Sequence, residues 1–320
     1  MEVDYENTII SEFEKLDYTH FKVNFSKQHI FVCGGVVDIS SAIPPSFRDR
    51  FVQHAAKKND EIYNAIVLAE SFKDYFKENV YTDLLTFEDE IANLASLVLI
   101  FLESPGSLVE LGMFCSREDF YKKLLIVAPQ EETEAEESFI YLGPLEHIKR
   151  REESSVAIYP WPQIDNIRYE EDYLDDLLHN VHEKLRSSSK TSMFKKENSG
   201  HNALLVYEII RLSYPILIGE IEFSLEALEL TCDESEIKRH LYLLGKLGMI
   251  SHNNYSSYKY YYPLFKDLKT VKFGRTKDNK VSDSASIQMS INQSYITENS
   301  IQARKRRAAK QQINCKLQGE

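Results

Sequence analysis

The sequence predicts an α/β fold in which a doubly wound parallel sheet is followed by a smaller second domain. Four short, almost continuous apolar runs stand in the first half of the chain, at 29–33, 63–69, 97–102 and 124–128. Strands that are buried on both faces of a parallel sheet have this appearance. Stretches with helical spacing separate the runs, and such alternation indicates a parallel sheet with helical crossovers.

The other elements of this sheet follow from local patterns. We expect a fifth strand at 156–159 and a solvated loop over the acidic run 130–137. Ligands of open α/β sheets bind at the carboxyl ends of the strands. Gly34-Gly35, Glu70 and the segment from Glu103 to Glu110 each follow a predicted strand, so we expect them around one crevice. Helices are predicted at 5–17, 46–57, 71–79, 86–95, 107–115 and 173–185.

The second half of the chain has a different pattern. We predict two helices at 204–212 and 224–230, and a third that is opened by a capping box, Thr231-Cys-Asp-Glu234. A β-hairpin with its turn at 252–254 follows, and helices followed by such a hairpin are typical of a winged helix. The predicted divisions are an α/β domain, a polar linker, the winged helix and a basic, flexible tail, at 1–186, 187–200, 201–270 and 271–320.

Charge is distributed unevenly between the two halves. The net charge is −12, but residues 1–200 carry −16 and residues 201–320 carry +4. The acidic first half argues against nucleic-acid binding there, because phosphates repel carboxylates. The basic tail is either a nucleic-acid contact or a solubilising end.

Cysteine usage and hydropathy indicate a cytoplasmic protein without a structural metal. The four cysteines show no paired spacing and no histidine at zinc distances, which predicts a reducing compartment. The N-terminus is acidic, unlike a signal peptide. The longest apolar run, 94–102, is much shorter than the roughly 20 residues of a membrane span, so we expect no membrane association.

The segment from Glu103 to Gly112 is the strongest candidate for chemistry. Gly106 permits close approach of a ligand to the backbone, and Ser104 and Ser107 stand where helix N–H groups attract phosphate or ribose oxygens. Glu110 is then placed to attack or stabilise the anomeric carbon of a bound sugar. The alternative is a capping box, because Ser107-x-x-Glu110 has that spacing as well.

Other candidate residues have weaker patterns. Gly34 and Gly35 could contact a ligand, although diglycine turns are common. Arg48 could bind a phosphate, and Glu70 and Glu88 could hold ribose hydroxyls, with Glu88 also a candidate acid or base. For each of these three residues, the alternative is an ordinary solvated side chain without a role in binding.

Basic residues mark a candidate nucleic-acid surface in the second domain. Lys238, Arg239 and Lys246 lie on the third predicted helix, and Lys259 lies among tyrosines in the hairpin. Cations interleaved with aromatic rings suit nucleic-acid contact. The start of that helix is acidic, so we expect contact with a structured or protein-bound nucleic acid rather than reading of a duplex operator.

Three segments, taken in order, resemble a known family. Phe31-Val-Cys-Gly-Gly35, Glu103-Ser-Pro-Gly-Ser-Leu-Val-Glu-Leu-Gly-Met-Phe114 and Ser138-Phe-Ile-Tyr-Leu-Gly-Pro144 are similar to retron effector proteins. Those effectors join a nucleoside deoxyribosyltransferase-like domain to a winged-helix DNA-binding domain. In the wider superfamily the motif is Asp-Ser-Gly-Thr-x-x-Glu-x-Gly, and its Glu attacks the anomeric carbon. The resemblance implies this role for Glu110, while Pro105 displaces Glu103 from the position of the Asp.

The resemblance also implies a function. It implies an N-glycosidase that acts on NAD, the favoured substrate, or on a related nucleotide, and that has no cofactor. It implies a toxin held inactive in an oligomeric complex with the retron reverse transcriptase and its msDNA or ncRNA. Two alternatives are a housekeeping nucleoside deoxyribosyltransferase or phosphoribohydrolase, and a non-enzymatic winged-helix regulator that senses a nucleotide.

Overall fold

The computed structural model describes residues 5–38, 40–72, 80–134, 138–162 and 169–318. The chain forms two compact units that interleave along the sequence. The sheet unit comprises residues 28–73 and 95–189, and the helical unit comprises residues 1–27, 74–94 and 190–320. The division predicted from the sequence was contiguous, and it did not anticipate that two early segments belong with the C-terminal residues.

The sheet unit contains a five-stranded parallel sheet. Its strands are β2 (Ile30–Cys33), β3 (Ile66–Leu68), β4 (Leu97–Phe101), β5 (Leu124–Pro129) and β6 (Val156–Tyr159). Its helices are α2 (Phe47–Lys58), α3 (Asp60–Ala65), α5 (Pro105–Cys115), α6 (Gln130–Glu134), α7 (Glu146–Lys149) and α8 (Glu171–Ser187).

Strand order positions the candidate site. The order is β3-β2-β4-β5-β6, so the chain adds β3 on one side of β2 and then β4 on the other. Cys33 pairs with Ile100 at the carboxyl ends of β2 and β4. The order of the strands therefore reverses between β2 and β4, and such a point is the usual ligand crevice of open parallel sheets.

Alternating strand residues build a core beneath two helices. Residues of β2, β4 and β5 that point to one side pack with α2 and α8, because the side chains of a strand alternate between its faces. This cluster contains Ile30, Val32, Leu97, Leu99, Leu125, Val127, Phe47, Phe51, Leu177 and Val181, all nearly inaccessible to solvent.

The helical unit combines seven helices with two small antiparallel sheets among its described residues. The helices are α1 (Tyr5–Glu14), α4 (Leu84–Leu94), α9 (Ser199–Ser213), α10 (Ile218–Ala227), α11 (Glu234–Lys246), α12 (Ser284–Thr297) and α13 (Ile301–Gln318). The strands are β1 (Lys22–Asn24), β7 (Thr191–Met193), β8 (Ile250–Tyr255), β9 (Tyr258–Pro263) and β10 (Val271–Lys272), in the sheets β10-β1-β7 and β8-β9.

Several local predictions need correction. The predicted linker contains β7, and the acidic loop begins with α6. Of the predicted strand 63–69, residues 63–65 belong to helix α3 and residues 66–68 form β3. The predicted helix at 71–79 lies mostly outside the described residues. The hairpin turns at Ser256 and Ser257, both with positive φ, rather than at 252–254. No helix in the described parts of the chain is both long enough and apolar enough to cross a bilayer.

The predicted flexible tail is instead two helices that complete the core of the helical unit. Arg306 on α13 is 1% exposed and donates to the Pro215 carbonyl oxygen and the Glu220 carboxylate. Its guanidinium lies 4.5 Å from the ring centre of Tyr5 and 4.7 Å from that of Tyr295. Burial of Ile287, Ile291, Ala309 and Ile313 at helical spacing explains why this basic stretch folds.

We predict that Arg306→Met lowers the free energy of unfolding by about 3–5 kcal/mol, because the substitution leaves the Glu220 carboxylate buried without its cation. Arg304→Met is the matched control, since Arg304 is an exposed residue on the same helix. It should change stability by less than about 0.5 kcal/mol. Chemical denaturation of both variants measures the difference. Equal stability of the two would contradict this account of α13.

Candidate functional site

The Glu103 carboxylate fixes the loops at the carboxyl ends of β2 and β4. Its Oε1 accepts hydrogen bonds from the backbone N–H of Gly35 at 2.9 Å and of Arg48 at 3.0 Å. Its Oε2 accepts one from the N–H of Phe47 at 2.8 Å. An anion at the first turn of α2 is favourable there, because the helix start carries free N–H groups and a positive partial charge. Glu103, predicted to bind substrate, is therefore engaged in holding the site together.

Ser104 and Ser107 cap the start of α5. Ser104 Oγ accepts a hydrogen bond from the Ser107 N–H at 3.1 Å and donates one to the Gly34 carbonyl oxygen at 3.3 Å. Ser107 Oγ accepts hydrogen bonds from the N–H groups of Glu103 and Ser104. The capping box is thus formed by these two serines, and Pro105 occupies the first turn, where its missing N–H costs nothing.

Glu110 lies in the second turn of α5, beyond the capping residues. It is 8% exposed, whereas its neighbours Leu108 and Val109 are 42% and 56% exposed. The capping box suggested by Ser107-x-x-Glu110 does not form, because the helix begins at Pro105, two residues earlier than predicted, and its N-cap is Ser104. Glu110 is therefore a buried carboxylate that the helix does not need for its own start.

Gly34 and Gly35 are required by close backbone packing. Gly34 has φ +149°, and an added Cβ would lie 2.9 Å from the Phe101 Cβ. A Cβ on Gly35 would lie 2.7 Å from the Ser46 Cβ. Gly106, in contrast, lies within the first turn of α5 and has space around it. The close packing of Gly34 against Phe101 and of Gly35 against Ser46 explains why both positions are glycine, without reference to a ligand.

The remaining predicted site residues lie on three different elements. Arg48 is 1% exposed, and its Nη1 donates to the Val32 carbonyl oxygen at 3.1 Å, so it is not the accessible phosphate ligand that we expected. Glu70 lies in the 3₁₀ turn Ala69–Phe72 after β3. Glu88 is buried on α4, which belongs to the helical unit rather than to the sheet unit.

A cavity of about 350 Å³ opens at the carboxyl ends of β4 and β5. Glu103, Ser104 and Leu108 line it together with Ser138 and Tyr141. The third segment of the family resemblance, 138–144, therefore lies beside the second. The volume is in the range of small-molecule pockets.

A second cavity of about 900 Å³ lies along α5 and α7. Leu108, Leu111 and Cys115 line it on one side, and His147 and Arg150 on the other. Burial raises the pKa of the Cys115 thiol. The thiol is protonated at neutral pH, which makes it a poor nucleophile.

Three of the four predicted nucleic-acid residues line one groove in the helical unit. We call this the basic groove; its volume is about 1090 Å³, and it contains Lys238, Lys246, Lys259, Tyr258 and Tyr261. Lys259 Nζ lies 5.3 Å from the ring centre of Tyr261. Burial, Lys259 and Lys316 lower the pKa of His252, which also lines the groove. At neutral pH the cations of this groove are therefore its lysines.

Arg239, the fourth predicted residue, is engaged within the protein. Its Nε donates to Oε1 of Glu90 at 2.8 Å, and Tyr81 donates to the other oxygen of the same carboxylate at 2.7 Å. Glu90 is 6% exposed, so this ion pair is largely shielded from water. Local sequence patterns could not reveal this ion pair, because Glu90 and Arg239 are 149 positions apart.

The start of α11 also differs from the prediction. Asp233, rather than Thr231, is the N-cap, and it accepts a hydrogen bond from the Glu236 N–H at 2.7 Å. One capping signal that the sequence analysis missed is Ser46, which accepts from the Asp49 N–H. Ser46-x-x-Asp49 marks the first turn of α2, the turn whose N–H groups Glu103 binds.

We predict that Glu103→Gln lowers the free energy of unfolding of the sheet unit by about 1–3 kcal/mol. The amide keeps the shape of the carboxylate but turns an NH₂ group toward backbone N–H donors, which leaves buried donors unpaired. Glu153→Gln is the control, because Glu153 is exposed on the same unit. Urea denaturation of both compares them, and an unchanged midpoint for Glu103→Gln would contradict the clamping role.

Comparisons with known proteins agree with the sequence resemblance. Two relatives come from Escherichia coli: the "Retron Ec86 putative ribosyltransferase/DNA-binding protein" and its retron Ec73 counterpart with the same description. Identity to the first is 31% over 127 residues, covering 40% of this chain and 39% of that protein. The match to this chain thus covers about two fifths of the length of the Ec86 protein. Identity to the second is 27% over 259 residues, covering 74% of this chain and 79% of that protein.

The match to a protein family covers most of the chain. The model of the family described as STM3845 retron effector protein matches residues 44–252. This range includes α5 with Glu110, the Glu103 carboxylate and helix α11. The chain belongs to this family of retron effectors.

Proposed function

We propose that this protein is a retron effector that cleaves the N-glycosidic bond of NAD or a related nucleotide. The observation that carries the proposal is the position of Glu110, a buried carboxylate on the helix that begins where the strand order reverses. Nucleotides bind at that edge in open α/β sheets. The descriptions of both relatives contain the words "putative ribosyltransferase", which supports glycosyl-transfer chemistry.

The chemistry requires a carboxylate close to the sugar. The bond between ribose C1′ and the nicotinamide nitrogen breaks, and nicotinamide leaves with the electron pair as a neutral base. No general acid is needed, because the departing ring was cationic. Glu110 then stabilises the electron-poor C1′, or bonds to it through a carboxylate oxygen. Water forms the new C1′–O bond and releases a proton, and any bond between Glu110 and C1′ breaks in that step, so that Glu110 leaves as a carboxylate. Glu103 contributes by holding the loops that surround the sugar.

The helical unit supports the second half of the proposal. We infer that α9–α11 with the hairpin β8–β9 form a winged helix, and that the sheet unit has the nucleoside deoxyribosyltransferase fold. The basic groove would then contact the msDNA or ncRNA of the retron, with reverse transcriptase in an oligomeric complex that holds the toxin inactive. Membership in a retron effector family argues against a housekeeping nucleoside enzyme.

We predict that Glu110→Gln abolishes NAD loss in cells that express the activated effector. The amide keeps the size of the side chain but removes the charge that stabilises C1′, so turnover should fall at least about 100-fold. NAD is quantified in extracts after induction. Glu153→Gln, which changes an exposed carboxylate of the same unit, should deplete NAD like the unmodified protein. Depletion by Glu110→Gln at the normal rate would remove Glu110 from the mechanism.

We predict that Lys246→Gln and Lys259→Gln each weaken binding of the retron nucleic acid and reduce the slope of log affinity against log salt by about one. Fluorescence anisotropy at several salt concentrations measures both quantities. Lys280→Gln is the control, because Lys280 is exposed on the helical unit and is not among the residues lining the groove. An equal loss of affinity with Lys280→Gln would indicate attraction by net charge alone.

A further inference from the structure

We propose that Cys232, Glu236 and His240 bind one zinc ion at the start of α11. The thiol of Cys232, a carboxylate oxygen of Glu236 and a ring nitrogen of His240 all lie within 4.8 Å of one another. Thiolate, carboxylate and imidazole are the three protein donors found in zinc sites. The proposal is independent of the N-glycosidase assignment, since none of these residues belongs to the sheet unit.

The separation of His240 and Glu236 is compatible with an ion between them. His240 Nε2 lies 3.5 Å from Glu236 Oε1. Two donors that bind zinc tetrahedrally at about 2.0 Å are separated by roughly 3.3 Å. Small side-chain rotations would bring the thiol to its bonding distance, because Cys232 and Glu236 are both partly exposed.

His240 provides an independent indication of a ligand. Its side chain is fully buried, and neither ring nitrogen has a hydrogen-bond partner among the described residues. Buried polar groups in proteins are almost always paired, and an unpaired one is costly. Coordination would satisfy the ring nitrogen that faces Glu236.

The spacing makes this a local site. Glu236 and His240 are four residues apart on α11 and therefore lie on the same side of the helix, and Cys232 stands four residues before Glu236 in the chain. Cys232 precedes the N-cap Asp233, so the ion would attach the turn before α11 to the second turn of the helix. The expectation of no structural metal rested on the absence of paired cysteines and of cysteine–histidine zinc spacings, and a donor set that includes a glutamate does not show either pattern.

Three protein donors leave one tetrahedral position for water or a donor from a binding partner. Arg239, which is held by Glu90, lies between two of the ligands in the chain. Lys238 and Lys246 of the basic groove lie on the same helix. Zinc would therefore stabilise the helix that carries two of the three groove lysines.

Metal titration of the full chain tests the proposal. The protein is treated with a chelator, dialysed, and titrated with Co²⁺, whose spectrum reports its ligands, and Zn²⁺ is then added. We expect one equivalent of Co²⁺ to give a thiolate charge-transfer band and the ligand-field bands of a tetrahedral site, both removed by Zn²⁺. A wild-type protein without the charge-transfer band would overturn the proposal.

Variants locate the site. Cys232→Ser should remove the charge-transfer band and weaken Zn²⁺ binding by more than about 100-fold, whereas Cys315→Ser, at an exposed cysteine on α13, should retain both. Glu236→Gln, at a partly exposed residue, should keep the thiolate band but lower the affinity at least about tenfold. Circular dichroism confirms that each variant is folded. A band that persists in Cys232→Ser, or unchanged affinity in Glu236→Gln, would place the metal elsewhere.

Discussion

The geometry of the candidate site depends on a single carboxylate. Glu103 accepts hydrogen bonds from Gly35, Phe47 and Arg48, and so joins the end of β4 to the loop after β2 and to the first turn of α2. The loops approach so closely that glycine is required at two positions. Ser104 continues the same network into α5. The position of Glu110 follows from this network, because α5 begins at the residue after Ser104.

Much of the sheet could be predicted because its strands are buried on both faces and therefore read as apolar runs. Four of the five strands, β2, β4, β5 and β6, lie where expected, and α5 begins only two residues earlier than predicted. The role of Glu103 could not be predicted, since its three donors come from 55 to 68 positions away. Local sequence patterns show the periodicity of helices and strands. They do not show which N–H groups, distant in the sequence, need a hydrogen-bond acceptor.

In the C-terminal half, too, local sequence patterns did not reveal contacts between distant residues. Composition made 271–320 seem flexible, because basic and amide residues dominate and the apolar ones are few. Those few lie on one side of α12 and α13, and Arg306 adds stacking on aromatic rings and a buried ion pair. Charge indicated Lys238, Arg239, Lys246 and Lys259 alike as nucleic-acid contacts. The three lysines line one groove, whereas Arg239 pairs with the carboxylate of Glu90. Residue type alone does not distinguish these two uses of a cation.

Interleaving of the two units has a consequence for how such a protein can evolve. The chain passes between the units near residues 27, 73, 94 and 189. Tyr5 of α1, for example, packs against Tyr295 of α12. A recombination event with one crossover would separate segments that must fold together, so neither half can be exchanged freely for a homologous half. The two units are expected to be inherited as a pair, and new specificities should arise by substitutions within them rather than by domain shuffling.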